Sequence, residues 1–130
     1  MKCAIYKSTS EFDRIYKTVY SLMLFGLVKY KGRETLLSDI NKYATLVAFI
    51  GVELVEVVGY KDLHSMHLEK AEQYGIPIYT PGVLRRFMSN IVSMGLVAKE
   101  RVGGKEMSNK HRYTIAKYLK DGENAAFIIK

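Results

Sequence analysis

The chain has no tryptophan, one cysteine, two prolines and one glutamine among its 130 residues. A lone thiol, Cys3, cannot close an internal disulfide, which excludes a stapled secreted scaffold and points to a reducing compartment. No long apolar run is present either. The most apolar stretch, 44–58 (ATLVAFIGVELVEVV), is 15 residues long and contains Glu53 and Glu56. A membrane span needs about 20 mostly apolar residues, so this stretch reads as a buried helix and no membrane partner is expected. The first ten residues lack the apolar run and small-residue cleavage site of a secretory leader, and a cytoplasmic protein is expected.

Catalytic signatures are missing too. There is no Gly-Lys-Ser/Thr phosphate loop, no Gly-x-Ser-x-Gly elbow and no cysteine pair. The expectation is a protein that is not an enzyme and carries no cofactor. His64 and His67 stand three residues apart on one expected helix. Two ligands at that spacing, even with Cys3, fall short of the four that a structural zinc site wants, so no metal is expected. His67 is placed at the edge of the core and His64 in solvent.

Acidic residues are scarce in one part of the chain. Residues 81–130 hold ten Lys/Arg against four Asp/Glu, a net of +6, whereas residues 1–80 hold ten against nine, a net of +1. The formal charge of +7 therefore belongs almost wholly to the last 50 residues. A basic patch confined to one part of a domain is the electrostatic footprint of a polyanion partner; the bland alternative is a solubilising surface.

What is present has helical rhythm. Ser8 to Glu11 has capping-box form, and Phe12, Ile15, Tyr16, Val19 and Met23 recur at helical spacing after it. Gly26 or the 31–33 stretch ends that helix. A second helical rhythm runs from Leu36 to Val58, with Gly51 inside it at a cost of up to about 1 kcal/mol against alanine. From Tyr43 onward it is apolar nearly all round, as suits a central helix or a subunit interface. Gly59 breaks the pattern, Asp62 can cap a helix from Leu63 to Tyr74, and Gly75 stops it. Thr80 caps a further helix with Pro81 at its first position and Gly95 as its stop. Residues 96–102 and 112–119 read as the two strands of a hairpin joined by a polar, glycine-bearing connection. Residues 2–7 are a short strand or a lead-in, and the apolar end Phe127–Ile129 is strand-like. Three segments follow: an N-terminal helical extension over 1–35, a main domain over 36–120 and a tail over 121–130. The expected class is mainly α with a small β-hairpin, α+β.

Three helices and a hairpin, ending in GLVAKERVGGKEMSNKHRYTIA (95–116), resemble the winged helix-turn-helix regulators of the MarR/ArsR broad type. The resemblance covers about two thirds of the chain. It implies a winged helix-turn-helix with an extra N-terminal helix, and a homodimeric transcription regulator that binds double-stranded DNA in the nucleoid. The connection GIPIYTP between the second and third helices is longer than the tight turn of a plain helix-turn-helix; Tyr79 within it stacks on a sugar or, more in keeping with its surroundings, packs under the third helix.

The residues fit that task. A helix is about as wide as the DNA major groove, and its N-terminal residues can reach base edges. The polar stripe of the third helix carries Gly82, Arg85, Arg86, Ser89 and Asn90, with Thr80 at its start. Arg85 and Arg86 can fork onto guanine edges or phosphates, and Gly82 permits close approach. The expected wing carries Lys105, Asn109, Lys110, His111 and Arg112, for the backbone or the minor groove. Lys99 and Arg101 alternate along a strand and can touch phosphate or pair with Glu100 or Glu106. In the resembled families helices outside the winged module make the dimer, which assigns the interface to Phe12, Ile15, Tyr16, Val19 and Met23. A small-molecule effector is left open. Two other functions also fit the residues: a winged-helix protein-interaction module of transcription or replication machinery, served by the 43–58 helix, and an RNA binder.

Overall fold

The computed structural model describes residues 10–33, 35–107 and 109–120. The Ser8 cap, Cys3, the 2–7 stretch and the 121–130 tail lie outside the described residues. The chain is mainly helical with a small antiparallel sheet, an α+β arrangement. In order it forms helix α1 (Ser10–Leu24), α2 (Leu37–Val52), strand β1 (Val55–Val58), α3 (Gly59–Tyr74), α4 (Pro81–Ser93), β2 (Val97–Arg101), β3 (Lys110–Ile115) and a single-turn α5 (Lys117–Lys120). A 3-10 turn, Lys105–Met107, lies between β2 and β3. Among the described residues the sheet has three strands in the order β1-β3-β2.

Helix α2 is the centre of the molecule. Every residue from Tyr43 to Ile50 is buried, because α1 packs on one side of it and α4 and β3 on others. The apolar character seen all round this segment is therefore spent inside one chain. Gly51 faces Ile15 of α1 and Ile115 of β3. A Cβ there would stand 2.5 Å from Ile15 Cδ1 and 3.2 Å from Ile115 Cδ1. The glycine trades helix propensity for close packing of helix and sheet.

The α1 stripe is used the same way. Phe12, Ile15, Val19 and Met23 are buried within the protomer, Phe12 stacking on Tyr74 with ring centroids 5.6 Å apart. Tyr16 is half-buried against the same core, and its hydroxyl donates to Asn41 Oδ1. The residues assigned to a dimer interface thus pack against the core of their own chain.

Three other expectations change. The helix does not run on to Val58; it ends at Val52, and Val55–Val58 is a strand paired with β3, Val55 opposite Tyr113 and Val57 opposite His111. Val55 and Val57 face the core while Glu56 and Val58 face outward, the period-two pattern of a half-buried strand. Helix α3 begins at Gly59 rather than Leu63. Gly59 takes φ +77°, a left-handed turn that only glycine makes without strain. Asp62 is not the cap but reaches back, its Oδ2 accepting the Val58 N–H at 2.8 Å. Finally, β3 stops at Ile115, and the chain turns into α5, whose Leu119 is buried. No helix among the described residues is long and apolar enough to cross a membrane.

Candidate functional site

Helix α4 is built as its residues dictate. Thr80 Oγ1 accepts the Val83 N–H at 3.3 Å, and Pro81 opens the helix. Gly95 closes it at φ +78°. Leu84, Phe87, Met88 and Ile91 bury one stripe, which holds the helix fixed and turns Gly82, Arg85, Arg86 and Ser89 to solvent. Asn90 is half-buried; its amide donates to Tyr43 Oη at 2.8 Å, so part of its hydrogen-bonding capacity is committed to α2.

Gly82, Arg85, Arg86, Ser89 and Asn90 line one open hollow of about 390 Å³, together with Tyr60 from the first turn of α3. Tyr60 was not singled out from sequence, where 59–62 reads only as a break and a cap. The Arg85 guanidinium lies 5.0 Å from the centre of its ring, and Lys99 Nζ from β2 lies 5.0 Å from the same centre. Lys99 Nζ also donates to Tyr60 Oη at 3.4 Å. Three elements distant in sequence thus converge on one aromatic ring. Beneath them, burial raises the Tyr113 phenol above its ordinary value, and Tyr60 adds to the shift.

The sheet sorts its charges by face. Lys99, Arg101 and His111 alternate with residues on the other side, sharing the face of Val97 and Tyr113 by register. On the opposite face Glu56, Arg112 and Glu100 stand side by side across the three strands. Arg112 donates from Nε to Glu56 at 2.8 Å, its guanidinium reaches Glu56 at 2.7 Å and Glu100 at 3.6 Å, and Lys110 Nζ stands 3.9 Å from Glu56. Of the residues expected at the wing, Lys110 and Arg112 are paired on the face opposite Lys99 and Arg101. Lys105 and Asn109 are exposed in the β2–β3 connection. The Asn109 carbonyl accepts the Gly59 N–H at 3.1 Å, tying that connection to the start of α3. His111 Nδ1 lies 3.0 Å from the same carbonyl. No ion pair among the described residues involves Arg85, Arg86, Lys99 or Arg101.

The two histidines of α3 hold the loop that leads into α4. His67 is buried, and its Nε2 accepts the Tyr79 N–H at 2.9 Å while the rings stack 5.3 Å apart. His64 Nε2 donates to the Tyr79 carbonyl at 3.1 Å. The backbone of one residue is gripped on both sides. His64 is half-buried rather than in solvent, and Tyr79 packs in the core. Both Nε2 atoms are taken up by backbone, and no group of three metal-ligating side chains is found among the described residues. No protein-family model, curated protein or solved structure matches the chain.

Proposed function

We propose that the protein is a winged helix-turn-helix protein that binds double-stranded DNA and regulates transcription. Helix α4 reads the major groove, and β2 with the β2–β3 connection lies along the backbone. The observation that carries this reading is the sorting of charge. Arg85, Arg86, Lys99 and Arg101 occupy one surface with no carboxylate partner, while the nearby acidic residues are used on the opposite face of the sheet. A surface left uncompensated in this way attracts a polyanion. The hollow beside Gly82 supports close approach by a base edge or a phosphate. A side chain at Gly82 would meet nothing within 4 Å, so the fold itself has no need of glycine there.

Operator symmetry calls for a homodimer. Since the α1 stripe is consumed, the proposal places the dimer contact on the apolar residues around the α1–α2 connection. There Leu24, Phe25, Leu27, Leu36 and Leu37 are exposed, Phe25 by 68% and Leu36 by 72%. Sedimentation of Phe25→Glu as a monomer, against a dimeric parent, is the expected result. The same patch is what favours the second reading, a protein-interaction module, since the 43–58 segment is otherwise occupied. Stoichiometric capture of a protein partner by a chain with no DNA affinity selects that reading.

Charge reversal at Arg85 and Arg86 tests the interface. The double variant is expected to weaken duplex binding by about 100-fold or more, from two lost phosphate or base contacts of about 1–3 kcal/mol each. Arg112→Ala, on the far face, is expected to change it less than about twofold. Unchanged binding by the charge-reversed variant removes α4 from the interface, and tighter binding of structured RNA in competition replaces the duplex as the target.

A further inference from the structure

We infer that Tyr60, Arg85 and Lys99 form a clamp for one backbone phosphate of the duplex, with Tyr60 as the residue that positions both cations. The inference rests on the DNA-binding reading and gives it a defined anchoring point. Two like charges are brought to one ring, each 5.0 Å from its centre. They repel each other, and no carboxylate among the described residues pairs with either. The ring face attracts each cation but carries no net charge to neutralise them. An anion completes the arrangement, and a phosphate suits it, taking a forked guanidinium and an ammonium together.

The anion is assigned to a polymer because the cluster is not isolated. It adjoins the hollow lined by Gly82, Arg86 and Ser89, so an extended ligand that meets the clamp also meets α4. Tyr60 stands in the first turn of α3, Arg85 on α4 and Lys99 on β2. The ring therefore sets the spacing between the helix that would enter the groove and the strand that would follow the backbone. A contact of this kind fixes register without reading sequence.

The test is a double-mutant cycle on affinity for a labelled 20-base-pair duplex, with thermal unfolding followed for each variant. Lys99→Ala is expected to weaken binding about fivefold and to make the salt dependence shallower by about one unit of log–log slope. Tyr60→Leu keeps apolar bulk for the core and removes no charge, yet is expected to weaken binding by a similar factor. The double variant is expected to bind within about twofold of either single variant, since the two losses are one loss. Tyr60→Phe keeps the ring and is expected to stay within about twofold of the parent. Inorganic phosphate at matched ionic strength is expected to compete no better than chloride; strong competition would assign the clamp to a free anion and overturn the proposal. If the parent binds duplex while the Tyr60→Leu and Lys99→Ala effects multiply independently, the clamp is wrong and the DNA reading stands. If the folded parent binds no duplex, both fall together.

Discussion

The backbone of Tyr79 is held on both sides by imidazoles, and this makes a single proton matter. Because His67 Nε2 accepts the Tyr79 N–H, its proton sits on Nδ1 and the ring is neutral. Burial, with His64 as a smaller cause, lowers the His67 pKa from the usual 6.5. A lowered histidine favours the neutral form in the fold, so its stabilising contribution is complete above about pH 6.5 and is lost as the pH falls from there through the lowered value. Urea unfolding at pH 7.5 and pH 5.0 should show a lower midpoint at pH 5.0, with a smaller drop in His67→Gln, whose carbonyl can still accept the Tyr79 N–H. An equal drop in both proteins would take His67 out of the acid response. Gly82 gives the complementary case of a residue that the fold does not require. Gly82→Ala should leave the melting temperature unchanged or raise stability by up to about 1 kcal/mol through helix propensity. On the proposed DNA-binding reading the same change should weaken duplex binding about tenfold, by placing a methyl group where that reading brings a base edge or phosphate. Weaker binding with intact stability is the signature; unaltered binding would place the DNA away from the α4 start.

Helix α4 was legible as an element because its boundaries are written locally. A capping threonine, a proline at the first turn and a glycine stop each act within a few residues, and the structure uses all three. Strand β1 was not legible, because ELVEVV continues the apolar rhythm of α2, and a short apolar run does not distinguish strand from helix by period. Its strand character comes from β3, whose residues stand more than 50 positions along the chain and supply the partners Tyr113 and His111. The early start of α3 follows from the same cause, since the helix begins where β1 leaves the sheet at Gly59. Gly51, a weak point in a helix by propensity alone, is a point of contact with Ile15 and Ile115. Gly51→Ala is expected to cost about 1–2 kcal/mol, the overpacking penalty against Ile15 and Ile115 outweighing the gain in helix propensity. Shortening the obstructing side chain in Gly51→Ala/Ile15→Val should recover much of that loss in chemical denaturation, and no recovery would mean that the α1–α2 approach is limited elsewhere.

At the scale of the molecule, the concentration of basic residues after position 80 was visible in the chain itself, but its arrangement was not. Alternation along β2 and β3 separates Lys99 and Arg101 from Arg112, yet only the position of Glu56 on β1 decides which of those cations are neutralised. Tyr60 escaped notice for the same reason: its importance lies in what α4 and β2 bring to it through space. The resulting surface has at least five exposed basic side chains without a carboxylate partner among the described residues, Arg85, Arg86, Lys99, Arg101 and Lys105. The measurement that tests the account most directly is fluorescence anisotropy of the purified protein against random-sequence duplex DNA over a salt titration. Micromolar or tighter binding at about 50 mM salt is predicted, with a log–log slope of about −4.5 per protomer if these five cations each neutralise a phosphate. Absence of binding at that salt concentration, or binding with no dependence on salt, would contradict a nucleic-acid interface on this face.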